Sequence, residues 1–460
     1  MERSGRKEVS LCLYDTVSRK TVPVKSRDGN VTMYCCGPTV YRDAHVGNLR
    51  TFLLSDLVRR VLEVHGNNVE LIQNITDVGH MSEDIDGQDK MLAQAQAEKI
   101  DPFAIARKYE AAFHHDLSRL NVKTADGYPR ASESIELMQL MITQLIDSGF
   151  AYVGEDQSVY FSAQAFATYG AISGNRLDAL KPGHRYEYTE DGAKRFHADW
   201  ALWKNAGARS EMIWDSPWGP GFPGWHIECS AMSLHFLHGH IDVHVGGIDL
   251  RFPHHENERA QSNAITGNES VNLWLHGEHL LFEGRKMSKS AGNVLLLQEI
   301  IDRGFDPLAV RLCFLENRYR SQMDLTWAAI EAADSTLKRW RKKIANWGPV
   351  QISMDTELLA IIDNDLDTPR AIQYLRTVEK DEALQNRATR FLFADQILGL
   401  DLQRVDEVKA ISPEQIALLE QRLHARNEKR WSDSDVLRIK LEETGLEIQD
   451  TSSGQEWSWR

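Results

Sequence analysis

Lys286 and Lys289 stand three apart in Lys286-Met287-Ser288-Lys289-Ser290, a short segment with Gly284 before it and Gly292 after it. Two ammonium groups on a glycine-flanked loop can neutralise a polyphosphate as mobile point charges. Far upstream, His45-Val46-Gly47-Asn48 opens a run of helical periodicity. Helix N-termini carry unpaired N–H groups and a positive partial charge, so this tetrapeptide suits the same anion. The two segments point to an enzyme that holds ATP between parts of the chain brought close by folding.

A second set of side chains is suited to metal. In His254-His255-Glu256-Asn257-Glu258, His254 and Glu258 are four apart, so on a helix they share a face and can grip one ion. The metalloprotease pattern H-E-x-x-H would begin at His255, but its fifth position is Arg259, a cation that cannot ligate zinc. Taken alone, the pentapeptide reads slightly better as a helix with solvated charges. Cys36 ends a β-prone run, and Cys229 closes Gly224-Trp225-His226-Ile227-Glu228-Cys229. Both lie in polar, loop-flanked settings, whereas Cys12 and Cys313 read as small buried apolar side chains. Spacing alone leaves a Cys-Cys-His-Glu zinc site as one option, because its ligands come from three separated segments.

Three further features admit two readings each. His226, His244 and the 254–255 pair are either hydrogen-bonded packing residues or partners that orient metal ligands. Gly246-Gly247-Ile248-Asp249 is either a common turn or a place where backbone approaches a ligand and a carboxylate meets ribose hydroxyls. The basic run at 338–343, which includes Trp340, either faces an RNA backbone or is the solvated side of a helix with its Trp turned inward.

The elements that must position these groups follow from periodicity. Residues 31–36 form a short strand before the Gly37-Pro38 turn, and Leu54, Leu57, Val58, Val61 and Leu62 then follow helical spacing up to a stop at Gly66. A strand at 69–72 completes a βαβ unit, which implies a parallel sheet with ligands at the carboxyl ends of its strands. The loop after the first strand has neither G-x-G-x-x-G nor a Walker pattern, which excludes an ordinary dehydrogenase or P-loop ATPase. Residues 120–225 read as an insertion, with an amphipathic helix (Ile135, Met138, Ile142, Leu145) and short strands around Tyr152 and Tyr160. Ile241, Val243 and Val245 resume the sheet, and a helix begins after Pro253. Beyond about 325 the chain turns helical, and Ser412-Pro413-Glu414-Gln415 combines an N-cap, a proline at the first helical position and a capping-box Gln.

At 460 residues the chain calls for two to four domains. No apolar run reaches membrane-spanning length, and the charged start lacks the core of a signal peptide. Five unevenly spaced cysteines suit a reducing cytoplasm. The formal net charge of -14 argues against indiscriminate nucleic-acid binding while leaving room for an RNA partner on a local basic face.

Several segments in order resemble the cysteinyl-tRNA synthetases, a family of class I aminoacyl-tRNA synthetases: 34–41 (Tyr-Cys-Cys-Gly-Pro-Thr-Val-Tyr), 45–48, Asn74-Ile75-Thr76-Asp77, 224–232, 252–258 and 286–290. The resemblance runs from about residue 10 to the end. It implies an α/β chain with a Rossmann-like parallel-sheet catalytic domain at 10–120 and 225–325. A connective insertion at 121–224, a tRNA-binding helical bundle at 326–410 and a small anticodon-binding module at 411–460 would complete it. It implies one zinc ion on Cys36, Cys229, His254 and Glu258, and a cysteine pocket lined by Thr76, Trp225, His226 and His244. Pro38, Thr39, His45, Gly47, Asn48, Gly246, Gly247, Asp249 and the 286–290 loop (Lys286, Met287, Ser288, Lys289, Ser290) would hold ATP with Mg2+, and His45, Asn48, Lys286 and Lys289 would carry the chemistry. The resemblance further implies L-cysteine and tRNA(Cys) as substrates, no editing domain, and a cytoplasmic monomer with no membrane association. Two positions depart from the commonest pattern: Asn48 replaces a usual His, and Ile248 replaces a small polar residue near adenine. A related ligase that joins activated cysteine to an amino-sugar would share the catalytic half but mostly lack the region after 325. A non-catalytic tRNA-binding paralogue would not need the intact zinc ligands and lysine loop.

Overall fold

The computed structural model describes residues 7–79, 89–180, 193–287, 293–405, 411–451 and 454–459. Ser288, Lys289 and Ser290 lie outside them.

Four parallel strands carry the site: β1 (Asn30–Cys35), β2 (Asn68–Gln73), β3 (Ile241–Gly247) and β4 (Val271–Gly277), in the order β4-β3-β1-β2. Every residue of β3 is buried, as expected for the centre of a parallel sheet covered on both faces. Helix α1 (Val46–Val64) links β1 to β2 on one side. On the other, α3 (Glu256–Thr266) links β3 to β4. The strand order therefore reverses between β1 and β3, where Met33, Tyr34 and Cys35 register with Val243, His244 and Val245. At such a reversal the two flanking connections part and leave a crevice beyond the carboxyl ends of the strands.

Local sequence explains α1. His45 is its N-cap and forms a reciprocal box with Asn48, the Leu49-Phe52-Leu53-Leu57 side is buried, and Gly66 follows the C-cap at φ 81. That left-handed conformation is one glycine adopts without steric cost.

Between β2 and β3 lies a four-stranded antiparallel sheet made of Ala151–Val153, Val159–Phe161, Trp200–Asn205 and Gly221–Pro223. Its core of Phe161, Trp200, Leu202 and Trp203 is shared with Met138, Ile142 and Leu145 of the helix Ile135–Asp147 and with Ile227 and Met232 of α2 (Trp225–Phe236). The helices Trp327–Trp347, Thr356–Ile362, Thr368–Lys380 and Arg387–Leu398 follow. In the first, Trp340 is fully buried and donates to Glu379, which also takes Arg339 and Lys343, while Lys338 pairs with Asp334 and Arg341 with Asp306. These pairs make that basic run a structural, acid-matched face of the helix.

The chain divides into two compact units, 1–403 and 404–460. The second contains Pro413–Asn427, Trp431–Glu443 and the hairpin Leu446–Thr451/Gly454–Trp459 around Leu419, Leu441, Leu446 and Ile448. Ser412 and Gln415 form the expected capping box.

Within the first unit, α1 is fastened to the helical region through buried charge. Asp56 accepts from Arg60 Nε at 2.7 Å and Arg311 Nη2 at 2.5 Å, and Arg311 also donates to the carbonyls of Leu398, Leu120 and Asn121. Burial opposes the Asp56 carboxylate, but Arg311 and Arg60 outweigh it and hold its pKa below the usual value. Asp56→Asn leaves two buried guanidiniums without their counter-charge, so urea unfolding at pH 7 should show a loss of about 3–5 kcal/mol. Because the folded pKa is depressed, this contribution is complete above the unfolded value of about 4 and is lost as pH falls through the folded one. An equal gap between wild type and variant at pH 7 and at the most acidic folded pH would refute the assignment.

Candidate active site

At the reversal point, Cys36 follows β1, and its N–H still donates to the Val245 carbonyl of β3 at 3.3 Å. Its sulfur lies 3.8 Å from Cys229 Sγ, 3.5 Å from Glu258 Oε1, and 3.4 Å from Nε2 of both His244 and His255. His254 Nε2 is 2.9 Å from Glu258 Oε1. All six side chains are buried.

Two overlapping four-donor sets result: Cys36, Cys229, His254 and Glu258, and Cys36, His244, His255 and Glu258, with the ligand atoms of each set within 4.8 Å of one another. Zinc bonds of ~2.3 Å to sulfur and ~2.0–2.1 Å to nitrogen or oxygen give tetrahedral edges of ~3.8 Å between sulfurs and ~3.5 Å from sulfur to nitrogen or oxygen. The distances around Cys36 match these edges. Glu258 Oε2 and His244 Nδ1, both buried, have no hydrogen-bond partner among the described residues. The donor set thus fits a four-coordinate divalent ion of intermediate softness.

Electrostatics agree with that fit. The Cys36 thiol donates to Cys229 and so lowers the Cys229 pKa, while burial pushes Cys36 well up. Burial disfavours a charged His254, yet Glu258 and Cys229 raise it to about 10. Burial takes His244 down to about 4 and His255 well below its ordinary value, so both are neutral ligands or acceptors at pH 7.

Neighbouring side chains orient the donors. His226 Nδ1 meets His254 Nδ1 at 2.9 Å, which leaves His254 Nε2 for the cluster. His255 Nδ1 meets His276 Nε2 at 2.8 Å, and His276 Nδ1 meets Thr16 Oγ1 at 2.8 Å. His244 stacks on Trp274 with ring centroids 4.4 Å apart, and Trp225 lies 4.3 Å from the His254 ring. Gly246 leaves room for this arrangement, since a Cβ there would stand 2.3 Å from His255 Cε1. His276, Thr16 and Trp274 were missed from sequence. The available signal was a polar His at the end of the apolar run Leu273-Trp274-Leu275 of β4, where a buried imidazole must find a partner.

Thr76 stands beside the cluster. Its hydroxyl donates to Glu228 Oε2 at 3.0 Å and accepts from Asn74 Nδ2 at 3.1 Å, while Asn74 Oδ1 accepts from Gly37 N at 2.8 Å. Gly37 is needed here, because a Cβ would lie 1.6 Å from the Asn74 carbonyl oxygen. Pro38 and Thr39 run alongside: Thr76 N donates to Pro38 O, and Val40 N to Thr76 O, both at 3.1 Å.

The phosphate-type residues gather at the start of α1. Asn48 N donates to His45 Nδ1 at 3.2 Å, and His45 N donates to Asn48 Oδ1 at 3.3 Å. With both acceptors used in the cap, His45 Nε2–H and the Asn48 amide remain as donors. Burial and then Arg42 lower the His45 pKa to about 4, so it donates as a neutral group. Gly47 admits Met287, whose Cε lies 2.8 Å from where a Gly47 Cβ would be. Val46 N donates to Leu295 O at 3.0 Å, so Met287 and Leu295 both meet this helix terminus. Lys286 pairs with Leu281 on a short edge strand. Gly247 ends β3 with Asp249 folded back over it, the ideal Cβ position being 2.4 Å from Asp249 Oδ1.

Residues 22–335 match the model of the class I (C) tRNA synthetase catalytic domain, and 409–457 match the cysteinyl-tRNA ligase anticodon binding domain. The chain is 38% identical over 481 residues to the cysteine–tRNA ligase of Thermus thermophilus, covering 98% of this chain and 99% of that one. It is 41% identical over 458 residues to cysteine–tRNA ligase 1 of Burkholderia lata, covering 97% and 96%. The chain belongs to the cysteine–tRNA ligase family. It is therefore a class I aminoacyl-tRNA synthetase, a ligase. Among solved structures, a methionyl-tRNA synthetase of Mycobacterium tuberculosis bound by methionyl-adenylate aligns with TM-score 0.55 at 15% identity over 88% of this chain and 96% of that one, a likeness of fold.

Asn48 departs from the ligase motif's usual His without loss of its function as a cap. Its Oδ1 takes the His45 N–H while the amide keeps two donors. Cys229→Ser should lower bound transition metal, measured by elemental analysis of the purified chain, from about one ion to well below it. Full metal content in the variant would remove Cys229 from the ligand set.

Proposed function

We propose that the chain activates L-cysteine with ATP and Mg2+ to cysteinyl-adenylate and pyrophosphate, then transfers cysteine to the 3′-terminal ribose of tRNA(Cys). The observation that carries this reading is the buried cluster of Cys36, Cys229, His254 and Glu258 in a chain of this family. Zinc is the ion proposed there. When bound, it supplies a soft electrophilic position that a cysteine thiolate fills and a serine hydroxyl does not. Shape alone rejects an isostere by only ~10–200-fold, so a required bond that serine lacks makes separate editing unnecessary.

Thr76, Trp225, His226 and His244 then shape the pocket around the amino acid. His226 acts by holding His254, and His244 borders both the Cys36 sulfur and Trp274. Pro38, Thr39, Gly47, Gly246, Gly247 and Asp249 form the walls for ATP. The substrate carboxylate attacks the α-phosphorus in line, and positioning with charge neutralisation supplies the rate. His45 and Asn48 donate to the phosphates, while Lys286, Met287, Ser288, Lys289 and Ser290 close on the leaving pyrophosphate.

The assigned regions are catalytic at 10–120 and 225–325, connective at 121–224, tRNA-binding at 326–410 and anticodon-binding at 411–460, working as a cytoplasmic monomer. In the last region Trp431 is 57% exposed and Arg426 lies 5.8 Å from its ring centroid, a surface suited to stacking an unpaired base. An amino-sugar acceptor is the alternative, and the anticodon-domain match at 409–457 counts against it.

Supplied with radiolabelled cysteine, ATP and total tRNA, the chain should charge tRNA even with excess amino-sugar present. Transfer to the sugar instead would replace tRNA as the acceptor. Lys289→Ala should slow single-turnover adenylate formation by about 10²-fold with little change in the cysteine KM. Equal single-turnover rates would take Lys289 out of the chemistry.

A further inference from the structure

Arg50 stands on α1, five residues after His45, and is only 5% exposed. Its guanidinium spends its hydrogen bonds on backbone. Nη1 donates to the carbonyls of Glu278 at 2.7 Å and His279 at 3.1 Å, and Nη2 to those of Arg318 at 3.0 Å and Ser321 at 2.9 Å. Burial lowers its pKa to about 10, a sign of what desolvating this cation costs. A buried charge answered by carbonyl dipoles is a poor source of stability, so the return is geometric.

The four carbonyls belong to two segments that root a small sheet. Residues 278–279 lead from β4 into the strand Leu280–Phe282, and 318–321 lead into Met323–Leu325. These two strands are parallel neighbours, and Leu280–Phe282 pairs on its other side with Arg285–Lys286. Glu278 N donates to Tyr319 O at 2.8 Å, which ties the roots to each other. One guanidinium thus bolts the helix that begins with His45 and Asn48 to the sheet whose edge strand carries Lys286. Just past that edge strand, Met287 packs against Gly47. Only a planar fork with five donors can engage four carbonyls at once; an ammonium has three donors and no fixed plane.

We infer that Arg50 is a positioning residue for the nucleotide chemistry: by clamping 278–279 and 318–321 to α1 it sets the gap between the His45–Asn48 helix terminus and the Lys286 strand that a triphosphate must fill. This rests on the proposed adenylate-forming activity. Arg50 touches neither the metal cluster nor the residues proposed for cysteine, so its removal acts on one half of the reaction.

A double-mutant cycle in the full-length, metal-loaded chain tests it. Arg50→Met and Arg50→Lys are each made alone and with Lys286→Ala. Single-turnover adenylate formation, the KM values for ATP and cysteine, metal content and Tm are then measured. Misplacement by about 1 Å costs up to about 10²-fold in rate, so Arg50→Met should approach that loss and Arg50→Lys should recover part of it, with cysteine KM and metal content unchanged. In the Lys286→Ala background the further loss should shrink to about threefold or less, because the geometry Arg50 fixes no longer has Lys286 to serve. A full, additive loss in that background, or a rise in cysteine KM matching the fall in rate, overturns the inference. If Arg50→Met does not fold, the Arg50→Lys cycle decides by the same criterion. Absence of adenylate from the parent chain would refute the proposed activity itself, and the role of Arg50 with it.

Discussion

Buried polar groups crowd the carboxyl ends of β1 and β3, and holding them in one arrangement is the constraint that organises the catalytic half, with Glu258 Oε2 and His244 Nδ1 left unpartnered among the described residues. Two thiols, a carboxylate and a group of imidazoles are buried together there. Each imidazole that turns one nitrogen to the cluster is fixed through its other nitrogen or its face: His254 by His226, His255 by His276 and Thr16, and His244 by stacking on Trp274. An arrangement satisfied in this way has one geometry. Replacing its members by apolar side chains would fill the volume without leaving negative potential for a cation.

The same sheet reversal separates two tasks. Metal-type donors come from the end of β1 (Cys36), from β3 (His244), from α2 (Cys229), from α3 (Glu258) and from the turn just before it (His254 and His255). Donors proposed for phosphate come from the start of α1, the next element after the β1 loop. Glycines mark where these parts approach most closely: Gly37 against the Asn74 carbonyl, Gly246 against His255 and Gly47 against Met287. In each place a single methyl group would push the two segments apart. Charge clamps complete the frame, with Arg50 near the start of α1 and, in its second half, Asp56 and Arg60 joined by Arg311 from the helix Pro307–Leu315.

Much of this was legible along the chain. The βαβ unit, the stop at Gly66, the strand 241–245, the capping box at Ser412 and the inward turn of Trp340 all follow from local periodicity and capping chemistry, which act over a few residues. The basic run at 338–343 showed its sign in sequence but not its partners, because Glu379 lies some forty positions away. His276 and Thr16 left almost no trace for the same reason: their roles exist only once β4 lies beside β3 and the antiparallel hairpin Lys7–Asp15/Lys20–Ser26, whose turn carries Thr16, folds next to it.

The sequence by itself determined which chemistries were available: thiols and imidazoles for a soft divalent ion, lysines and a capped helix terminus for phosphate, and the periodicities that build a parallel sheet. Resemblance of ordered motifs added the family, and the comparisons bear that out. Tertiary structure alone decided that Cys36 and Cys229, 193 positions apart, stand 3.8 Å from each other. It also decided that Cys36 and Glu258 are common to two donor sets, and that Arg50 spans two distant backbone segments. Coordination and multi-point hydrogen bonding depend on distances of a few ångströms between remote residues, and no local spacing encodes those.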